Sequence, residues 1–237
     1  MKHRFKSPAP SSNEKAKLVM FTQPSFEAQR ERMVRTQLAE RGIRDTRVLA
    51  AMGEVPRHEF VSEFLSPEAY EDHPLPIGEG QTISQPYIVA AMLEHLALRA
   101  TDRVLEVGTG SGYVTALLSR LCAEVFSVER YASLAASAEA TLLRLGYENV
   151  KLAVGDGRHG WSEFAPFDAI LVSAATSEVP PALFAQLREG GRLMIPVGSP
   201  FTQELQLIIK RKGQPEVRIL EGCRFVPLVE GEVSEDG

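Results

Sequence analysis

Apolar positions recur first at helical spacing and then in alternating helix and strand patterns. From residue 26 to 41, Phe26, Met33, Val34 and Leu38 fall on one side of a helix that Gly42 stops. Asp45 then caps a short helix carrying Val48, Leu49 and Met52, which ends before Pro56. From Tyr70 to Pro86 stand three prolines, two glycines and no sustained period. A long loop is predicted there, and such loops inside compact domains are usually functional or disordered.

Beyond it the pattern is regular. Helices are predicted near 87–98 and at 113–121, 133–145 and 180–188; strands are predicted at 103–107, 124–128, 150–154, 167–172 and 192–197. Strands separated by helices of this length require right-handed crossovers and a mostly parallel sheet covered on both faces. Two last β-rich runs, 204–210 and 217–225, are joined through Lys212-Gly213-Gln214-Pro215 and read as an antiparallel hairpin at the sheet edge. The expected fold is α/β and Rossmann-like, a mostly parallel seven-stranded sheet with a C-terminal antiparallel hairpin and an N-terminal helical cap. Residues 1–24 are rich in Lys, Ser, Pro and Asn, lack periodicity and read as a disordered extension. Residues 25–237 are expected to form one domain, with a helical and loop region at 25–100 and the core at 101–237.

Composition narrows the functional classes. A net charge of −5 argues against a partner held by phosphate neutralisation. No segment approaches the roughly 18–20 uninterrupted apolar residues of a membrane span. Neither nucleic acid nor membrane is an expected partner, and nothing demands more than a monomer. The first residues are basic (Lys2, Arg4, Lys6), but Ser and Pro follow where a signal peptide needs an apolar run, so a cytoplasmic protein is expected. Cys122 and Cys223 each sit in an apolar pattern and are expected as free, small hydrophobes. No CxxC pair or His/Cys cluster offers metal-ligand spacing, so no metal is expected.

The strongest chemical signal is Val104-Leu105-Glu106-Val107-Gly108-Thr109-Gly110-Ser111-Gly112, an apolar strand running into a glycine-rich turn that opens a helix. Gly108, Gly110 and Gly112 let the backbone turn sharply and approach a ligand. A dinucleotide site prefers GxGxxG, with a helix N-terminus facing a pyrophosphate. This loop is GxGxG with Glu106 two residues upstream. A carboxylate there repels a diphosphate but suits a cationic ligand, such as the amino acid moiety of S-adenosylmethionine. Glu129 ends the next strand, where related folds place the acid that binds ribose hydroxyls. Asp156, in Gly155-Asp156-Gly157 after the third strand, is positioned to accept from an adenine amino group. Each acid alone could be a turn residue; three acids at successive strand ends beside a glycine loop favour a cofactor site.

Before the first core helix lies the most unusual segment, LPIGEGQTISQPY at 75–87. Ser84 or Gln85 could cap the helix, with Pro86 in its first turn. That explains Ser84 alone and leaves the preceding run unexplained. This segment, together with VPRHEFV (55–61), VLEVGTGSGYVTALL (104–118), SVER (127–130), GDG (155–157), FDAILVSAA (167–175) and RFVPLVEGE (224–232), resembles the protein-L-isoaspartate O-methyltransferase family over about residues 28–232. The glycine loop is shared by many methyltransferases; the GQTISQP loop and the VPL ending are more specific. Two departures stand out: residues 1–24, and Ala175-Thr176-Ser177 where family members often carry a proline.

The resemblance implies methyl transfer from S-adenosylmethionine to the free carboxylate of L-isoaspartyl, and of D-aspartyl, residues in age-damaged proteins. The ester then closes to a succinimide unaided. It further implies an active-site role for Ser84, whose hydroxyl orients the attacking carboxylate, and for Gln81 and Thr82 as lining of the cofactor and substrate cleft. Glu106, Gly108, Gly110, Gly112, Glu129, Asp156 and Gly157 complete the expected cofactor site, and Val226-Pro227-Leu228 is expected to contact the peptide. A carboxylate is already ionised at neutral pH, so no catalytic His is needed. His58, His73, His95 and His159 read as surface or satisfied core residues.

Overall fold

The computed structural model describes residues 24–229. The extension expected at 1–24 falls, apart from Pro24, outside the described residues, as do positions 230–232 of the family resemblance. The chain begins with a helix, α1, which is α-helical over Phe26–Arg32 and continues as a wider π-helix over Met33–Ala39. Ser25 caps it by accepting from the Ala28 N–H, and Gly42 follows at φ 111°. Asp45 caps α2 (Thr46–Glu54) through the Arg47 N–H at 2.9 Å.

Where a long loop was expected, the chain forms a small antiparallel hairpin of β1 (Leu75–Gly78) and β2 (Gln81–Ile83). Its two-residue turn, Glu79-Gly80, has positive φ at both positions, the backbone twist that suits a tight hairpin. Leu75 and Ile83 anchor it, both buried in the main apolar cluster. Gln85 and Pro86 then lead into α3 (Pro86–Leu96).

From here the core follows as β3 (Arg103–Val107), α4 (Tyr113–Leu121), β4 (Glu124–Glu129), α5 (Ala132–Arg144), β5 (Val150–Val154), β6 (Phe167–Val172), α6 (Pro181–Ala185), β7 (Leu187–Gly198), β8 (Gln203–Arg211) and β9 (Gln214–Cys223). The seven-stranded sheet has the order β5-β4-β3-β6-β7-β8-β9. Strands β5 to β7 are parallel, and β8 and β9 add antiparallel at the edge. Side chains alternate between two cores. Val104, Val125, Ala169 and Leu171 enter the cluster beneath α2, α3 and α4, while Leu105, Phe126, Ile170 and Val172 enter the one beneath α6, Trp161 and Phe164.

Two expected boundaries are corrected. The helix predicted at 180–188 is only five residues long, because Leu187 already pairs with Phe167 and starts β7. In the last hairpin only Lys212-Gly213 turns, both at positive φ; Gln214 and Pro215 belong to β9. A proline is tolerated there because β9 is the edge strand and its outer N–H groups have no ladder partner to supply. Cys122 and Cys223 are free thiols, and burial pushes Cys122 up to about 12. Among the described residues no helix is long and apolar enough to cross a membrane, and no group of three or more His, Cys, Asp or Glu could hold a metal ion.

Candidate active site

The chain runs β3, β4, β5 to one side and then returns to place β6 on the other flank of β3. At such a switch point the loops leaving adjacent strands diverge and open a crevice at their C-terminal ends. Val107 is in register with Val128 on one side and Val172 on the other, so the three strands end level. The cleft above them is lined by Val107 to Ser111, by Val128 to Tyr131, by Asp156 and Gly157, and by Ser173 and Ala174. The hairpin closes it from above with Ile77, Gln81, Thr82, Ile83 and Ser84; the segment Val226 to Val229 closes one end.

Glu129 is the central carboxylate of this cleft. Only 5% exposed, it accepts from the Gly110 N–H at 2.8 Å through Oε2 and from the Tyr131 N–H at 3.0 Å through Oε1. Its orientation is therefore fixed by main-chain amides, with lone pairs left for a ligand's hydroxyls. Asp156 stands at the far wall, capping a short turn through the Arg158 N–H and chelated by the Arg158 guanidinium at 2.7 Å. Those Arg158 bonds hold its carboxyl below the usual range and keep it anionic.

The glycines divide by task. Gly108 and Gly110 line the cleft, whereas Gly112 does not: it turns the chain at φ 88° into α4, and a Cβ there would crowd Ala138 at 3.2 Å. Gly157 lines the cleft because nothing larger fits, a Cβ falling 2.3 Å from Val107 Cγ1.

Glu106 is a correction. It was expected to face a cationic ligand, yet it is fully buried and absent from the cleft lining. The period of two along β3 puts it on the same face as Val104, under the first turn of α4. There its Oε2 accepts from Thr115 Oγ1 at 2.5 Å and from Ser127 Oγ at 2.6 Å, and Ser127 Oγ in turn meets Thr109 Oγ1 at 2.6 Å. Burial pushes its pKa up to about 8, so it is protonated at neutral pH. Glu106 ties the glycine loop to β4 and α4 from below.

Ser84 is not the cap of α3. Gln85 occupies that position, and its amide bonds Asp72, while Asp72 Oδ1 also accepts from the Tyr87 N–H at 3.4 Å. Ser84 instead stands in the wall between the cleft and a second groove, which it shares with Thr82, Ser173 and Val226. That groove continues along Gln85, Ile88 and Phe201 to Arg224 and Phe225. The VPL segment is held in place by a parallel bridge, Ala175 N–H to Val226 O at 2.8 Å and Leu228 N–H to Ala175 O at 2.7 Å. No His lines the cleft or the second groove among the described residues. His58 stacks on Phe26 at 4.0 Å and bonds the Tyr70 hydroxyl through Nδ1.

Sequence reasoning missed Ile77, Tyr131 and Ser173 as lining residues. Ser173 was findable, since it is the first residue after a strand flanking the switch point.

A glycine-loop crevice at the switch point of a seven-stranded sheet, with an edge hairpin and fixed carboxylates at successive strand ends, defines a class I S-adenosylmethionine-dependent methyltransferase. The donor set fits that ligand: Glu129 for hydroxyls, Asp156 for amino hydrogens, apolar Ile77 and Val128 for a flat ring system. The profile of the protein-L-isoaspartate(D-aspartate) O-methyltransferase family matches residues 28–233, and the chain belongs to that family. It is 56% identical over 204 residues to the protein-L-isoaspartate O-methyltransferase of Koribacter versatilis, covering 86% of this chain and 92% of the relative. To that of Opitutus terrae it is 57% identical over 200 residues, 84% of this chain and 86% of the relative. Among solved structures, a protein-L-isoaspartate O-methyltransferase superposes with TM-score 0.78 at 34% identity, covering 86% of this chain and 67% of the other. A Plasmodium falciparum chain assigned to the same family, solved with S-adenosyl-L-homocysteine, gives 0.76 at 30% identity, covering 85% and 99%.

Proposed function

We propose that this enzyme methylates the free carboxylate of L-isoaspartyl residues in damaged proteins, with Ser84 as the group that orients the acceptor. Family membership carries the reaction, and one observation carries the residue assignment. Ser84 and Thr82 are the hydroxyl side chains of the hairpin segment in the wall common to the cofactor cleft and the second groove. Bound S-adenosylmethionine supplies an electrophilic methyl carbon on a sulfonium. Glu129, Asp156 and the Gly108-Thr109-Gly110 turn are the residues that hold it.

The acceptor oxygen is already an anion at neutral pH, so the protein supplies no general base. The Ser84 O–H donates to one carboxylate oxygen and leaves the other free to attack. Fixing nucleophile and electrophile in line can remove as much as ~7–11 kcal/mol of barrier. The main chain of Val226-Pro227-Leu228 and the groove beside Ile88 and Phe201 bind the flanking polypeptide. D-Aspartyl carboxylates are proposed as further acceptors, and the working form as a cytoplasmic monomer that needs neither nucleic acid nor membrane. The test is a labelled-methyl assay with paired peptides carrying Asp or isoAsp at one position. Label in the isoAsp peptide alone is expected; equal label in both would overturn the acceptor assignment.

A further inference from the structure

Arg57 is a buried cation that the reaction described above leaves without a task. It sits in the short turn Arg57–Phe60, is 0% exposed, and forms no ion pair among the described residues. Its Nε donates to Ala69 O at 2.7 Å and its Nη2 to Ser84 O at 2.9 Å. The guanidinium carbon lies 4.9 Å from the centre of the Tyr113 ring, and Nη1 has no hydrogen-bond partner. Tyr113, Tyr70 and Asp72 are the charged or titratable groups acting on it, and Asp72 makes no hydrogen bond to it.

A guanidinium taken out of water without a carboxylate partner is unfavourable, and an apolar side chain of similar length would fill the space more favourably. What the cation reaches is therefore informative. Ser84 is one of the hydroxyl-bearing residues of the shared wall, with Thr82 and Ser173, and Tyr113 is the first residue of α4, directly after the glycine loop, and lines the cofactor cleft. One side chain thus contacts both halves of the site, and it does so from behind.

We propose that Arg57 is a positioning residue for the transfer: it fixes the Ser84 carbonyl, and hence the Ser84 hydroxyl, against the Tyr113 end of the glycine loop, and its positive charge favours an anionic acceptor at Ser84. Arg57 touches neither reactant. It acts through Ser84, so the inference rests on the role given to that residue.

The experiment compares Arg57→Lys, Arg57→Met, Ser84→Ala and the Arg57→Met/Ser84→Ala double variant. For each, kcat and KM are measured with an isoaspartyl peptide, and S-adenosylhomocysteine binding by calorimetry. Arg57→Met is expected to lose about 30-fold or more in kcat/KM for the peptide while product-cofactor affinity moves less than about threefold. Arg57→Lys, which keeps the charge, is expected to recover at least about a third of the loss on a logarithmic scale. In the Ser84→Ala background the Met substitution is expected to cost clearly less than in the wild type, because the hydroxyl it positions is gone. Wild-type kcat/KM in Arg57→Met would overturn the proposal, as would additive losses, or equal losses in Arg57→Lys and Arg57→Met. Parallel loss of S-adenosylhomocysteine binding would overturn it too, by marking Arg57 as a scaffold residue. A Ser84→Ala enzyme with normal turnover would instead remove the Ser84 reading itself, a result readable without the Arg57 variants.

Discussion

Oε2 of Glu129 accepts from the Gly110 N–H at 2.8 Å, so the acid at the end of one strand holds the glycine turn that leaves its neighbour. The bond makes the cleft floor a single unit: the carboxylate proposed to hold the cofactor's hydroxyls is tied directly to the loop amide. Glu129→Ala removes the ligand's acceptor and leaves two amides without their partner. A hydrogen bond to a charged group is worth roughly 1.5–3 kcal/mol, so S-adenosylhomocysteine should bind about ten- to a hundredfold more weakly. The peptide KM should change much less. Calorimetric titration checks this, and equal cofactor affinity in the variant would refute it.

Ser84→Ala should lower turnover by about ten- to a hundredfold, the worth of one charge-assisted hydrogen bond at the reacting centre. Cofactor affinity should stay near wild type, because the hydroxyl serves the acceptor. Stability should also hold, since Gln85, not Ser84, occupies the cap of α3. A melting temperature well below wild type would mean that Ser84 has a structural role as well.

Glu106 sets a pH signature. Burial raises its pKa from the ordinary 4.5 of a free glutamate to about 8 in the folded state. Between those values the folded protein holds a proton that the unfolded chain has released, so stability falls as pH rises through this window, by up to about 1.4 kcal/mol per pH unit. The contribution is intact below the lower value and lost above the upper one. Glu106→Gln keeps the acceptor for Thr115 and Ser127 and cannot ionise. Denaturant titrations between pH 5 and pH 9 should give a flatter stability profile for the Gln variant (~ by the slope just stated). Parallel profiles would show that Glu106 is ionised in the native protein.

Gly157→Ala should destabilise the fold by about 1–3 kcal/mol, an overpacking cost. The new Cβ meets Cγ1 of Val107, a buried β-branched side chain of restricted rotamer freedom. Thermal unfolding in the presence and absence of S-adenosylhomocysteine separates this cost from a loss of binding. An unchanged melting temperature without ligand would show that Val107 can yield.

Much of the core was legible because its parallel strands carry apolar runs, most continuous where both faces are buried, as in β6. Strands β3, β5 and β6 and helix α4 begin and end where periodicity puts them. The hairpin at Leu75 to Ile83 was not legible: strands of four and three residues are too short to display a period. Glu106 was misread for a different reason. Proximity to Gly108 suggested a ligand, whereas the alternation along β3 sends its side chain beneath α4 with Val104. Arg57 stands inside the VPRHEFV segment of the family resemblance, but its burial gave no signal, since a charged residue is by default an exposed one and only packing reveals the exception. For the site itself, the glycine loop and two of the three strand-end acids, Glu129 and Asp156, were placed at the cleft by spacing. The shared wall of Thr82, Ser84, Ser173 and Val226 was not, because it joins segments far apart in the chain.

The cleft draws its lining from Ile77 through Val229, and the last piece docks on Ala175 through main-chain bonds. Without residues 226–229 the seven strands and the glycine loop would be whole, yet one end of the crevice would stand open.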